Sequence, residues 1–168
     1  MTFAEIERRH CQPASVRAAA LEVWKSFLNV PYRWAMDEVD CSGLALEGLY
    51  AVGRIPREKD FTAHDLLHVA FADSLRITKP EDLIPGCLMF WRSSENAASI
   101  SHVEIAWAIF DRSPWDAKVA PLVLTIGASG GGQSTVDRAA AVRQSALVTI
   151  RRASPGWLVA VDPFAEVP

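Results

Sequence analysis

One stretch decides how this chain is predicted to fold, and it reads Val30-Pro31-Tyr32-Arg33-Trp34-Ala35-Met36-Asp37-Glu38-Val39-Asp40-Cys41-Ser42-Gly43-Leu44. Asp40 is predicted to be the N-cap of a helix that begins at Cys41, because its short carboxylate can accept a hydrogen bond from the first turn. Gly53 is predicted to end that helix. Apolar positions recur at helical spacing and form one face of it: Cys41, Leu44, Ala45, Gly48, Leu49 and Val52.

Cys41 is a candidate nucleophile because of its place at the start of this helix. A helix start carries partial positive charge and N–H groups without intrahelical partners. This setting favours the thiolate, which is the reactive form of cysteine. The other interpretation is a small buried cysteine of the core, which is the commoner role of this residue. The position alone leaves both interpretations open.

Further along the chain, three segments accompany this stretch in a fixed order: Ile55-Pro56-Arg57, Leu83 to Trp91, and Ser101-His102-Val103-Glu104-Ile105. Together with Pro31-Tyr32-Arg33-Trp34 and Asp40-Cys41-Ser42-Gly43-Leu44, they resemble the NlpC family of papain-like cysteine peptidases, which are cell-wall hydrolases of bacteria and phages. The likeness runs from about Val30 to Ala128. It implies an α+β fold with a papain-like core, in which N-terminal helices pack on an antiparallel sheet of five or six strands. One domain is expected over residues 1–168.

The resemblance also implies a catalytic pair and a set of neighbours. Cys41 corresponds to the nucleophile and His102 to the general base, and His102 is the one histidine of four in a predicted strand downstream of Cys41. The amides at Cys41 and Ser42 are candidates for oxyanion stabilisation. The residues expected to bind substrate are Tyr32, Asp40, Ser42 and Ser101. The reaction requires no metal and no cofactor.

Gly127 is the main departure from the family pattern. The family has a polar residue there, usually histidine, that orients the catalytic histidine, and glycine has no side chain to do so. A third catalytic group is therefore uncertain: it could come from Ser129, from Gln133, from a backbone carbonyl or from water, or the site could be a dyad. A wrongly oriented imidazole can cost several orders of magnitude in rate. This departure motivates a second hypothesis, a catalytically weak structural adaptor of a tail tip with the same fold.

His64 and His68 suggest a different chemistry. Two histidines at i and i+4 on one helix can bind zinc, and the segment His64-Asp65-Leu66-Leu67-His68 is similar to the His-Glu-x-x-His motif. The match is imperfect, because aspartate replaces the glutamate and no third ligand stands out. The alternative is a solvated helix face.

Composition limits the possible partners. The formal net charge is −3 and nothing resembles the basic stripe of a nucleic-acid binder. Three cysteines without framework spacing argue against a disulfide scaffold, and no apolar run reaches membrane-spanning length, so membrane insertion is not expected. The resemblance to the NlpC family implies a peptidoglycan stem peptide as substrate, typically cut between D-glutamate and a diamino acid.

The first residues lack the apolar region of a signal peptide. A wall hydrolase without a signal suggests delivery by a phage-like particle, with tail-tip or hub proteins as partners and action on the host wall in the periplasm. The other expected location is the cytoplasm.

The remaining elements follow from periodicity and turn residues. A first helix is expected from Ser15, its N-cap, to about Asn29, and a third from Thr62 to about Leu75. On the strand that carries His102, period two places Val103, Ile105, Trp107 and Ile109 on one face, and His102, Glu104, Ala106, Ala108 and Phe110 on the other. The expected strands are Cys87 to Trp91, Ser101 to Phe110, Leu122 to Ile126, Ala146 to Arg151 and Trp157 to Val161.

Overall fold

The computed structural model describes residues 13–30, 40–92, 99–110, 121–128 and 147–165. Within these ranges, helices come first and strands follow, which confirms the α+β class. The strands form one antiparallel sheet of six, in the spatial order β1-β6-β2-β3-β4-β5. Their bounds are β1 Arg76–Ile77, β2 Leu88–Arg92, β3 Ile100–Phe110, β4 Leu122–Ala128, β5 Val148–Arg152 and β6 Val159–Val161. The short β1 was not predicted.

The helix α1 spans Pro13–Ser26 and α2 spans Cys41–Ala51. The predicted start of α1 at a Ser15 cap was wrong, since the helix begins at Pro13, a position that suits proline because it has no N–H to leave unpaired. Its predicted end at Asn29 was also too late. The helix stops at Ser26, and Asn29 adopts a left-handed φ of 68° in the turn that follows.

The third helix, α3, is shorter than predicted. It comprises Ala63–Asp65 and continues as a π-helical turn, Leu66–Ala70. Thr62 is its N-cap, as predicted, and forms a reciprocal capping box with Asp65. The backbone of Phe71 is extended, and only a separate 3₁₀ turn, Asp73–Leu75, follows. The predicted helix was too long because apolar residues at helical spacing continue beyond Ala70, where the helical backbone ends.

Both predicted ends of α2 are confirmed. The Asp40 carboxylate accepts a hydrogen bond from the Gly43 N–H at 2.7 Å, and Gly53 follows the last turn with a left-handed φ of +69°. The predicted inner face is also largely correct, because Leu44, Ala45, Gly48 and Leu49 are buried. The chain therefore forms this helix from local signals, and its apolar face then packs against the sheet.

The sheet carries apolar residues on both faces. The main core joins α1 and α2 to the face that holds Leu88, Val103, Ile105 and Ile126. A smaller cluster covers the other face and includes Met89, Ala106 and Val123. Within the described ranges, no helix has the length and apolar character needed to cross a membrane.

A β-bulge in β3 changes the predicted alternation. Ala106 pairs with Thr125 and Ala108 with Leu124, so Trp107 is an extra residue on its strand. Beyond this point the side chains exchange faces. Ile109, predicted to share a face with Val103, instead packs in the cluster that contains Ala106. The faces predicted from Val103 to Ala106 agree with the structure, and the assignment of Ile109 was wrong.

Candidate active site

Cys41 is the first residue of α2 and is half-buried at the border of the main core. The cap beside it is well formed: the Asp40 side chain accepts the Gly43 N–H, and the Asp40 carbonyl accepts the Leu44 N–H at 2.9 Å. The N–H groups of Cys41 and Ser42 come one turn too early to have an intrahelical acceptor. The helix therefore presents a sulfur atom and two amide donors at the same end.

Asp40 and Ser42, both predicted to bind substrate, contact each other. The Ser42 hydroxyl lies 3.0 Å from Oδ1 of Asp40, the same oxygen that caps the helix. These two side chains thus have a structural role at the start of α2.

The ring of His102 has a carboxylate partner that the sequence analysis did not assign. Nε2 of His102 lies 2.8 Å from Oε1 of Glu104, two residues further along β3. The His102 side chain is 23% exposed and Glu104 is 1% exposed. Alternation along a strand places residues i and i+2 on one face, which brings the imidazole and the carboxylate together.

Two further donors hold the Glu104 carboxylate. The Thr125 hydroxyl on β4 donates to Oε2 at 2.5 Å, and Nη2 of Arg151 on β5 donates to Oε1. Thr125 and Arg151 are register partners across the two strands. Burial lowers the pKa of Arg151, and the adjacent carboxylate compensates the buried positive charge. Three neighbouring strands thus contribute to one polar cluster, which we name the Glu104 cluster: His102, Glu104, Thr125 and Arg151.

The chemistry of this cluster assigns the tautomer of His102. An ionised carboxylate only accepts hydrogen bonds, so the 2.8 Å contact requires Nε2 to carry the proton. Nη2 of Arg151 also approaches Nε2, at the longer distance of 3.5 Å. In a neutral ring with Nε2 protonated, Nδ1 holds the lone pair and can accept a proton. This is the form that a general base needs.

Gly127 lies directly beside the Glu104 carboxylate. A Cβ atom built on Gly127 would lie 2.8 Å from both the carboxyl carbon and Oε1 of Glu104, closer than such atoms approach in proteins. Gly127 has no side chain to orient His102. The Glu104 carboxylate, which contacts the His102 ring, lies in the space beside it.

Two departures from the family pattern indicate Glu104 as the partner of His102. Where the resembling family has Ser-His-Val-Gly-Ile, this chain has Ser101-His102-Val103-Glu104-Ile105, and where the family has a polar residue this chain has Gly127. Each change was visible alone. The pairing of β3 with β4 makes positions 104 and 127 neighbours, and only this pairing shows that the two changes belong together.

The catalytic pair itself stays a prediction. Helix α2 contacts β3 and β4, but no hydrogen bond joins Cys41 to His102 within the described part of the chain. His102 stands near the beginning of β3, on the face that carries Ala106, whereas α2 packs on the face that carries Val103 and Ile105, so the described contacts do not bring Cys41 and His102 together. Ser101 is exposed beside it. Tyr32, Ser129 and Gln133 lie outside the described residues.

Comparisons with known proteins find likenesses among solved structures. No protein-family model matches the chain, and no curated protein matches it. Among solved structures, the chain is similar to the NlpC/p60 domain of the peptidoglycan hydrolase SagA, at 15% sequence identity and a TM-score of 0.47. The match covers 86% of this chain and 97% of that one.

His64 and His68 do lie side by side, with ring centroids 4.4 Å apart. Nδ1 of His68 is 3.4 Å from Nη2 of Arg76, and desolvation, followed by the charges of His64 and Arg76, lowers the pKa of His68. Within the described ranges, no group of three or more histidine, cysteine, aspartate or glutamate side chains is placed to hold a metal ion.

Proposed function

We propose that the protein is a cysteine peptidase that hydrolyses an amide bond, with Cys41 as nucleophile and His102 as general base. The observation that carries the proposal is the bond between Nε2 of His102 and the buried Glu104 carboxylate, which leaves Nδ1 as the basic atom. The second support is the position of Cys41 at a capped helix start. A nucleophile, a base and a group that orients the base are the parts that acyl transfer needs.

The proposed reaction has two halves. Nδ1 of His102 takes the thiol proton, and the Cys41 sulfur attacks the amide carbonyl to form a tetrahedral intermediate. The N–H groups of Cys41 and Ser42 stabilise its oxyanion. The intermediate collapses to a thioester as His102 returns the proton to the departing amine. Water, deprotonated by His102, then attacks the thioester and releases the acid and the free thiol.

The proposed substrate is a peptidoglycan stem peptide, cut between D-glutamate and a diamino acid. Its support is the resemblance of the cysteine, histidine and Pro-Gly segments to the NlpC family. The test is digestion of purified peptidoglycan and of defined muropeptides, with products identified by mass spectrometry. We expect the wild type to release peptide fragments, the Cys41→Ala variant to release none, and the Cys87→Ala variant to act as the wild type, since Cys87 is fully buried in the smaller core.

The alternative functions give different results in the same assay. Equal and null digestion by the wild type and the Cys41→Ala variant would favour the structural adaptor. That hypothesis rested on the missing side chain at Gly127, and Glu104 now supplies an acceptor for the imidazole. Activity that a chelator removes and a thiol-alkylating reagent does not would favour a zinc hydrolase using His64 and His68.

Proximity of the catalytic pair has its own test. A cysteine–histidine pair in contact forms a thiolate–imidazolium ion pair whose thiolate absorbs in the ultraviolet. We expect this absorbance in a Cys11→Ser/Cys87→Ala background, and we expect its loss on adding either Cys41→Ala or His102→Ala. If His102→Ala left the absorbance unchanged, His102 would not be the partner of Cys41.

We also propose that the protein acts as part of a phage-like particle, with tail-tip or hub proteins as its partners. Mass spectrometry of purified particles tests this placement. Recovery of the protein only from the soluble cytosolic fraction would contradict it.

A further inference from the structure

We infer that Glu104 is the positioning residue of His102, and that position 127 is glycine because the Glu104 carboxylate needs its space. This inference rests on the proposed function, because it names the group that holds the proposed base in its reactive tautomer. It assigns the third position of the site, which the sequence left open: Gly127 aligns with it, and Ser129, Gln133, a backbone carbonyl, water or a dyad were the alternatives.

The surroundings of the Glu104 carboxylate favour its ionised form. Glu104 is 1% exposed, accepts hydrogen bonds from the side chains of Thr125 and Arg151, and lies 2.8 Å from Nε2 of His102. The Arg151 guanidinium has N–H donors and no acceptor, so the carboxylate oxygen that it contacts must accept. A buried carboxylate beside a guanidinium is stable as the anion. Glu104 therefore presents a fixed negative acceptor to the ring.

The contact with Glu104 distinguishes the two ring nitrogens of His102. The charged acceptor at 2.8 Å from Nε2 favours the neutral tautomer with the proton on that atom, and it stabilises the imidazolium formed during turnover. The carboxylate itself is anchored from β4 and β5, so its position does not depend on the bond to His102. An anchored acceptor restricts the rotation of the ring more than a solvated one does.

Gly127 leaves the space that the Glu104 carboxylate occupies. Its backbone is outside the left-handed region, so its conformation is one that other residues adopt. What excludes a side chain is space, because the added Cβ would lie 2.8 Å from Oε1 and 3.0 Å from Cγ of Glu104. Glu104 cannot retreat cheaply, since three hydrogen bonds hold its carboxylate. The glycine on β4 and the glutamate on β3 therefore act as a matched pair.

Thr125 and Arg151 follow as supports of Glu104, and Nη2 of Arg151 also lies 3.5 Å from Nε2 of the His102 ring. Thr125 contacts Oε2, the oxygen that faces away from the imidazole bond, and also approaches the Arg151 carbonyl at 3.4 Å. Removing either support would move the carboxylate, and through it the ring.

The test compares Glu104→Gln with a matched control, Asp162→Asn. Asp162 is also a poorly exposed carboxylate, paired with Arg17 at 2.9 Å and bonded to the Phe164 N–H, so its variant loses a similar ion pair elsewhere. We expect Glu104→Gln to lower kcat by about 10²- to 10⁴-fold with little change in KM, and Asp162→Asn to change both by less than about threefold. Equal effects of the two variants on kcat would overturn the inference.

A double-variant comparison tests Gly127. Gly127→Ala is expected to lower kcat by about tenfold or more in the wild-type chain and to have no added effect in a Glu104→Ala chain. An equal fold-change in both backgrounds would overturn the pairing, because it would show that Gly127 acts independently of Glu104.

A spectroscopic readout separates this inference from the proposed function. Nitrogen-15 shifts of His102, assigned with a His102→Gln variant, report which ring nitrogen carries the proton without any turnover. We expect the Nε2–H tautomer to dominate in the wild type and in Asp162→Asn, and to give way to a mixture in Glu104→Gln. Unchanged His102 shifts in Glu104→Gln would overturn the positioning role, whereas an inactive wild type with the expected shifts would overturn the peptidase alone.

Discussion

The indole of Trp24 lies directly against the backbone of Gly48, so that helices α1 and α2 approach closely at this point. A Cβ atom on Gly48 would lie 2.2 Å from Nε1 of Trp24. The same Nε1 donates to the Ala45 carbonyl at 3.2 Å, and the Trp24 side chain is fully buried. The absence of one methyl group thus sets the distance between the two helices that support the sheet.

Gly48→Ala is expected to destabilise the protein by about 1–3 kcal/mol or to prevent folding, because the added methyl group occupies the space of the indole and displaces its hydrogen bond. Urea denaturation followed by circular dichroism measures the loss. Ala51→Ser, at an exposed position of the same helix, is the control. Similar midpoints for the two variants would contradict the close approach of Trp24.

Asp40→Ala is expected to lower the free energy of unfolding by about 1 kcal/mol, because it removes the acceptor that caps α2. Asp40→Asn should lose less, since an amide oxygen can still accept the Gly43 N–H. Ser42→Ala keeps the cap and serves as the control. If the Asn and Ala variants were equally unstable, the charge of Asp40 rather than its acceptor oxygen would be the stabilising feature.

Cys87 should make stability fall at alkaline pH. Desolvation raises the pKa of its thiol from 9.0 to about 11. Between these values the unfolded chain releases the proton and the folded chain keeps it, so the free energy of unfolding decreases as pH rises. The contribution lost by pH 11 is about 2 kcal/mol.

The measurement is the difference in unfolding free energy between the wild type and Cys87→Ala at pH 8 and at pH 11, which cancels the titration of other groups. We expect the wild type to lose its advantage over the variant as the pH rises. A difference that is independent of pH would contradict the burial of this thiol.

Thiol alkylation should discriminate between the two described cysteines. Cys41 is half-buried, whereas Cys87 is fully buried and, with a pKa of about 11, is a thiolate in about one molecule per thousand at pH 8. In a Cys11→Ser chain, we expect iodoacetamide to modify Cys41 alone, as seen by peptide mass spectrometry. Modification of Cys87 under native conditions would show that this part of the sheet opens readily.

Some features of the fold were predictable because their causes are local. The aspartate before Cys41, the apolar spacing after it and the glycine at the end specify α2 within a few residues of chain. Alternation along β3 likewise placed His102 and Glu104 on the same face. The bulge at Trp107 was not predictable, since an extra residue in one strand is defined only against its partner strand.

The sequence by itself determined the capped helix with Cys41 at its head, the α+β order of elements and the strand that carries His102, because each depends on residues near one another in the chain. Only the tertiary structure decided what holds the imidazole. Glu104, Thr125, Gly127 and Arg151 come from three strands, and their contacts exist because antiparallel pairing brings those positions together. The free energy of strand pairing comes from residues along the whole sheet and cannot be read from any single position. The relationship between Glu104 and Gly127 therefore became visible only in three dimensions.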